Sequence, residues 1–491
     1  MVHSVASSLA QTGIHRLPNE ILSYVFLNAI QVCDDDDYSE AAFFPLTISH
    51  TCSRWRKVSI STGSLWKYIR LCLPCSSNQL IYLNTWLTRS KFYPLEILLD
   101  FRDPEWGWEE EHHIFTCGVA REIISVILPH AKRWRHIEFF TDTWAPIHAF
   151  LNLTRDVVSL PVLRSMALYR CNAYFARKGE YFKPVEMREA LQLFGGASFP
   201  ALRDLSLVGV HVDWQRSILS NLFELELKFH AYDVMPTIGE FAEILESCPD
   251  LRRLSIVGSG PRLEAGSTNK KRVISLAKLT RLIFGFVDVE YAVMLLSLFH
   301  LPCLREFELE DVAALVDPVE PSDASALLAL LEASSTNFHS QACFFPLHKV
   351  DCLELRSIRS SETVFSQFLR CFTSLERINL SDVDSALLNS LGPQHLAPCP
   401  QLVDLTCRHV DTSILSSVIS ARAKAGSGVR PLQSVQLELN DEAVLSDLDK
   451  GTSTASCLSD EDRNSLLNAG VNLIINDHRF SAEPDDFLHV V

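Results

Sequence analysis

Apolar and polar positions recur along most of this chain as one short phrase: leucine, two free positions, leucine, one free position, leucine, with aliphatic or aromatic substitutes. It begins at Leu163, Leu202, Leu222, Leu251, Leu279, Leu304, Val350, Leu375, Leu402 and Leu432, and "FPALRDLSL", "CPDLRRLSI", "LPCLREFEL" and "CPQLVDLTC" are versions of one another. Trp134-x-x-Ile137-x-Phe139 is an earlier member. A period of two predicts a short strand with one buried face. Helical spacing fills the intervals, as at Ile238 to Glu246 and Glu362 to Cys371. Each strand and helix leaves apolar surface that only the next unit covers, so the units stack. Ahead of the phrase, strands at Lys67 to Leu73, Pro94 to Phe101 and Arg135 to Phe140 alternate with helices at Asn78 to Arg89 and Phe115 to Leu128.

The N-terminal stretch reads differently. Leu17-Pro18 opens a helix, because proline is tolerated in a first turn and Glu20 suits the positive end of the dipole. The spacing predicts Ile21, Leu22, Val25, Phe26 and Ala29 on one face. An acidic stretch, Cys33 to Glu40, follows, and Thr47 to Ser61 is predicted as a second helix with Ile48, Cys52, Trp55 and Val58 as its stripe. Arg54, Arg56 and Lys57 flank that stripe, and Leu65-Trp66 comes next.

The order "LPNEILSYVF … ISHTCSRWRKVS … LW" resembles an F-box over residues 14 to 66, as in the large fungal family of F-box proteins. The resemblance implies a short all-helical domain that docks on a Skp-type adaptor and, through it, on a cullin ubiquitin ligase. Leu17, Pro18, Ile21, Leu22, Val25 and Trp55 are the adaptor-binding residues it implies. A unit of ~50 residues buries too little surface to be secure alone, which itself calls for a cover. The acidic insertion at 33–45 departs from the family's short connection.

The repeated phrase, at spacings of about 20–30 residues, belongs to the leucine-rich-repeat range. Two features depart from regular repeats. The asparagine that usually follows the strand is replaced, as in Val208-Gly209-Val210 and Ser381-Asp382-Val383. Two intervals are long, with Lys178 to Gln192 and Pro318 to Ser340 as the expected insertions. The fold class expected is therefore α/β: a short all-helical F-box followed by an irregular leucine-rich-repeat-like solenoid. Residues 1–13 form a disordered N-terminus, 14–66 the F-box, 67–440 the solenoid, and 441–491 an acidic loop with a C-terminal cap. Within that last region, a helix at Glu461 to Asn468 and a strand at Val471 to Asn476 are expected.

Composition changes this picture little. Hydrophobic content of 47% and charged content of 21% describe a globular chain. A net charge of −16 argues against nucleic acid or an anionic membrane as partner. The best apolar run, Tyr291 to Leu304, is shorter than the ~20 residues a bilayer needs, and His300 and Pro302 interrupt it. No signal peptide is evident, so the chain is expected to be intracellular, in the cytoplasm or nucleus. The 14 cysteines, Cys171, Cys303 and Cys371 among them, stand singly at apolar positions and suit reduced, buried thiols.

Candidate chemistry is sparse. Cys72-Leu73-Pro74-Cys75 has the spacing of a metal or redox pair, but no second pair completes a zinc site, so structural thiols are expected. Asp34 to Asp37 lacks the alternation and glycine of a calcium loop. Gly258 to Arg272 fails the phosphate-loop spacing and reads as a loose connection. His112-His113 is expected on an exposed turn. No nucleophile triad, catalytic residue, cofactor fingerprint or metal set emerges, and the chain is not expected to be an enzyme.

The function expected is that of a substrate-recognition subunit of a Skp–cullin–F-box ubiquitin ligase. The F-box binds the adaptor, the solenoid holds an unknown target protein, and catalysis by proximity belongs to other subunits. The alternative is a protein-interaction scaffold without a ligase, its helices serving as a cap. The candidate target surface is the polar row of the strands: Glu224, Glu226, Arg253, Glu306, Glu308, Glu310 and Arg377. Three carboxylates on alternate residues, 306, 308 and 310, share a face, repel one another and contribute nothing to the fold, with Arg253 and Arg281 as partial neutralisers.

Overall fold

The computed structural model describes residues 13–31, 38–107, 112–170, 178–263, 273–313, 322–336, 343–392, 398–410, 412–423, 429–439 and 472–477. It divides into two compact units. One comprises Met1–Arg170, Leu191–Leu202 and Arg216–Ile218, and the other the remaining chain.

The first unit opens with three helices, α1 (Asn19–Gln31), α2 (Tyr38–Thr51) and α3 (Ser53–Ser61). The single helix expected over Thr47 to Ser61 is in fact broken at Cys52. That residue is extended at φ −159°, and its Sγ accepts the Trp55 N–H at 3.4 Å as the N-cap of α3. The insertion expected at 33–45 is also corrected in part, because helix begins at Tyr38 and runs through Pro45. Strands β1 (Tyr68–Cys72), β2 (Leu95–Asp100), β3 (Trp134–Thr141) and β4 (Ser165–Arg170) alternate with α4 (Ser77–Arg89), α5 (Cys117–Ile127) and α6 (Trp144–Thr154). The strands pair in parallel and in chain order. Helices α2 and α4 pack on β1, so its otherwise open edge region is covered.

The core of this unit is aromatic. Trp134, Phe150 and Phe194 are fully buried, and Trp134 stands 6.3 Å from Phe150 and 6.2 Å from Phe194, centroid to centroid. Phe194 reaches that place from a left-handed turn shared with Gly195, where a Cβ would lie 2.0 Å from the Arg155 carbonyl oxygen. His113, expected on an exposed turn, is buried instead. Its Nδ1 accepts the Phe115 N–H at 3.0 Å, so Nε2 carries the proton and donates to Asp142 Oδ2 at 2.9 Å. Asp142 also accepts the Asp103 N–H at 2.7 Å, which ties the loop after β2 to the end of β3.

In the second unit the order is β5 (Asp204–Val208), β6 (Glu224–Lys228), α7 (Ile238–Glu246), β7 (Arg253–Gly258), β8 (Ile274–Ser275), β9 (Arg281–Phe286), α8 (Val289–Leu296), β10 (Phe299–His300) and β11 (Glu306–Asp311). Then come β12 (Cys352–Arg356), β13 (Arg377–Ser381), β14 (Asp404–Arg408), β15 (Ser434–Leu439) and β16 (Asn472–Asp477). Strands β8 and β10 form a small ladder of their own; the others pair in parallel, each with the next in that order.

The repeated phrase explains the register. Leu207, Leu227, Ile256, Phe284, Leu309, Leu355, Leu380, Cys407 and Leu437 are successive cross-strand partners, all buried. Burying one such side chain stabilises by roughly 1.5–3 kcal/mol, and a slip of one residue would turn the whole row to solvent. Helix Ser325–Thr336 packs between α8 and helix Glu362–Arg370, so the insertion expected at Pro318 to Ser340 contains the ordinary helix of a long repeat.

The missing asparagine also has an explanation. The residue after each of five strands is left-handed: Gly209, Phe229, Ser357, Asp382 and His409, with φ between 51° and 61°. The turn aims its own N–H at the next strand. Gly209 donates to Lys228 O at 2.7 Å, Phe229 to Val257 O at 2.9 Å, and Ser357 to Ser381 O at 2.9 Å. Backbone thus closes the turn that an asparagine side chain would otherwise close. The position after it is then free to be apolar, as with Val210, Ile358 and Val383. His230 is the polar case: it is buried, it hydrogen-bonds Val210 O through Nε2 at 2.8 Å, and desolvation pulls its pKa down to about 4.

Further corrections concern loops and thiols. Gly258 to Pro261 is buried and not a loose connection, whereas 264–272 lie outside the described residues. Cys303 is exposed and Cys371 is half-buried, and Cys171 is not described. The loop expected from 441 and the helix at Glu461 to Asn468 also lie outside them, while β16 occupies the place of the expected final strand. Among the described residues no helix is long and apolar enough to cross a membrane.

Candidate functional site

Helix α1 has two apolar faces, not one. Leu22, Phe26 and Ile30 point inward and are buried, and Phe26 meets the Trp55 ring edge-on at 4.9 Å. On the other side Ile21, Tyr24 and Val25 are 47%, 65% and 42% exposed. Of the expected adaptor-binding residues, Pro18, Ile21 and Val25 therefore lie open, Leu17 and Trp55 are half-buried, and Leu22 is fully enclosed at 0% exposure. A partner touching this face cannot touch Leu22. Spacing alone misses the split, since positions 21 and 22 differ by only 100° around a helix.

The entry of α1 is fixed by a residue that sequence reasoning passed over. Arg54 of α3 donates to the Leu17 carbonyl and to Asn19 Oδ1, the latter at 3.1 and 3.2 Å. The Cys-Ser-Arg-Trp run thus caps its own helix with Cys52, anchors α1 with Arg54 and packs on it with Trp55. A basic residue one position before the motif tryptophan was the available signal.

The second candidate is the polar row of the repeat strands, and the register does bring its members together. Glu224, Arg253, Arg281, Glu306, Cys352 and Arg377 are successive partners, as are Glu226, Ser255, Ile283, Glu308, Glu354 and Asn379. The row is largely paired within itself. Arg281 lies 3.4 Å from Glu306 and 3.8 Å from Glu308, and Arg356 lies 3.5 Å from Glu308 and 2.7 Å from Glu354. Lys228 pairs with Glu226 at 2.7 Å, and Arg253 with Glu224 at 3.8 Å. The expectation that these carboxylates contribute nothing to the fold is therefore replaced by a cross-strand ion network. Arg356 stands two residues after Glu354 on the same face of β12, one step beyond the polar row expected from the sequence.

Burial shapes the acids of this network. Glu308 is only 9% exposed, and desolvation, helped by the Glu354 charge, raises its pKa against the pull of Arg356. Desolvation raises Glu310 too, with Arg356 and Lys228 opposing it. Gly285 stands opposite Glu310, and a Cβ there would sit 2.7 Å from Val257 Cγ1, so this part of the face has no space for another side chain. In the first unit, burial lifts the Cys75 thiol to about 11, assisted by Cys72, which leaves Cys75 protonated at neutral pH.

The parallel strands in sequence order, the helices between them and the aligned leucines define a strand-and-helix repeat protein of the leucine-rich kind. No family model matches the chain, and no curated protein matches it. Among solved structures it is similar to the leucine-rich repeat-containing protein LegL7 from Legionella pneumophila. That likeness has 14% identity and a TM-score of 0.31, over 65% of this chain and 84% of that one. It is similar as well to TLR13 in a TLR13–ssRNA13 complex, at 13% identity and a TM-score of 0.26, over 65% of this chain and 44% of that chain.

Proposed function

We propose that this protein is a target-recruiting subunit of a Skp–cullin–F-box ubiquitin ligase, with α1 to α3 as an F-box docked on a Skp-type adaptor. The observation that carries the reading is the open apolar face of α1, Ile21, Tyr24 and Val25, on a helix whose opposite face is already packed. Apolar surface of this kind, rimmed by polar residues, marks docking sites. The repeat array then holds a target protein, and the chemistry belongs to the ligase's other subunits. Such a subunit works in the cytoplasm or nucleus and needs no cofactor. The test is co-expression with a Skp-type adaptor: the pair should co-purify, and Ile21→Asp with Val25→Asp should abolish capture at unchanged melting temperature.

A second reading is favoured by a different observation. Because α2 packs on β1, the helices also serve as the N-terminal cap of a repeat stack, which every stack requires. If the chain never retains an adaptor, it is an interaction scaffold and the cap is the whole role of these helices.

A further inference from the structure

In the first unit, alternate residues of the strands turn away from the core. Ile97, Ile137 and Leu168 are buried, whereas Leu98, Glu138 and Phe140 are half-buried on the opposite face of the sheet. In register, Glu138 of β3 lies between Leu98 of β2 and Ala167 of β4. Two residues further along the same face, the Phe140 ring stacks on that of Tyr169 at 4.5 Å. The Arg102 guanidinium stands 5.0 Å from the Phe140 centroid, and Asp100 holds it through Nε and Nη2, both at 2.8 Å.

The carboxylates of this face are answered unequally. Asp100 has the Arg102 fork, and Glu96 has Lys67 at 2.7 Å. Glu138 forms no hydrogen bond or ion pair with any described residue. Its neighbours in register are apolar, and Arg70, the basic residue of its row, stands two strands away, roughly 10 Å by strand spacing. His136 precedes it by two residues on the same face. Burial, with Arg135, Lys67 and Arg164, pulls the His136 pKa below its ordinary value against the Glu96 charge, so this imidazole is neutral at pH 7. Burial raises the Glu138 pKa, the Asp100 charge adds to the rise, and no cation of the described residues acts against it. Glu310 of the other unit is the instructive contrast. It too lacks an ion pair among the described residues, but Arg356 and Lys228 both pull against its burial. A carboxylate half withdrawn from water with no cation to meet it is a cost that the fold itself does not recover.

We infer that the target protein places an arginine on Glu138, its guanidinium paired with the open carboxylate and its stem laid against Leu98, Ala167 and the Phe140 ring. A planar donor fork matches a carboxylate with both oxygens unengaged, and a methylene stem suits apolar neighbours. The inference rests on the recruiting role set out above and deepens it.

The test uses the full-length chain and two labelled libraries of short peptides, read by fluorescence anisotropy at about 0.15 M salt. Each peptide has one fixed central residue among uncharged ones: arginine in one library, its neutral isostere citrulline in the other. The arginine library should bind about tenfold more tightly, the size of a charge-assisted bond pair. Glu138→Gln should remove that preference without lowering the melting temperature, because it deletes a charge that no described partner stabilises. Ala167→Lys, which sets a cation of the chain's own beside Glu138, should remove it as well. If Glu138→Gln disturbs folding, Ala167→Lys decides. Glu310→Gln should leave the preference intact, which separates the site from general attraction to a chain of net charge −16. Equal binding of the two libraries, or a preference that survives at Glu138→Gln and Ala167→Lys, overturns the inference. Loss of the preference in Glu310→Gln overturns it too. Adaptor capture is scored separately on the same protein, so an arginine preference without adaptor capture would sink the ligase reading and leave the site standing.

Discussion

The outer face of α1 and the polar row of β6 to β12 are opposite answers to one problem, a line of side chains with nothing of the core behind them. On α1 the apolar groups Ile21, Tyr24 and Val25 are left exposed by the described residues. On the strands, charged groups find partners on the same or the neighbouring strand, and Arg281 and Arg356 each bridge two carboxylates. Apolar surface left open is a demand for another molecule; charge matched in register is not. A pattern of surface residues signals recognition only after the neighbours have been counted.

The comparison is tested most severely at the boundary between the two faces of α1. Leu22→Asp places a charge in an enclosed apolar site, at a cost of several kcal/mol, on the order of 3–5. The expected outcome is loss of the helical portion, seen as a lower melting transition and early proteolysis near α1. Ile21→Asp, one residue away, should leave stability within about 0.5 kcal/mol. Equal losses from both would mean that the two faces are not distinct.

Next in size is Arg356→Met. It strips Glu308 and Glu354 of their shared cation, and the cost should fall between the exposed and buried limits, about 1–3 kcal/mol by urea unfolding. No loss would show that the network is ornamental and would return the row to the list of open surfaces.

A smaller effect follows from pH. Glu308 and Glu310 have folded pKa values raised by burial, so the folded state holds more protons than the unfolded one just above the ordinary glutamate range near ~4.3. Their contribution to stability therefore falls as pH rises through that window and stays low above the raised values. Glu310→Gln should flatten this part of the stability curve. An unchanged curve would contradict burial as the cause.

Much of the fold was legible because the buried positions repeat. The phrase beginning at Leu202 or Leu402 places its strand to within a residue or two, and Ile238 to Glu246 is helical over that same span. What failed to show depended on partners distant in the chain. Nothing near His113 announces Asp142, and nothing near Cys52 announces that the helix stops there, since a thiol as N-cap is a weak signal beside serine or aspartate. The buried face of α1 is met by Trp55, which packs on Phe26 from another helix. The partners of Phe182 and Lys178, Asp233 and Asp288, come more than 40 residues after them.

The left-handed residues that close the strands carry one more consequence. A side chain held in that conformation costs roughly 1 kcal/mol, and glycine there would give back about 0.4–1 kcal/mol through the greater freedom of its unfolded chain. The two nearly cancel, so backbone strain exerts almost no selection on what stands at Ser357, Asp382 or His409, whereas Phe229 is held by its own burial. With the turn closed by backbone, these positions can change identity from one generation of sequences to the next without disturbing the stack. The contact between His409 Nδ1 and Asp382 Oδ1 at 2.9 Å shows what such freedom permits: neighbouring repeats carry complementary side chains at these exposed positions. The rim is the part of this molecule that inheritance can rewrite most cheaply.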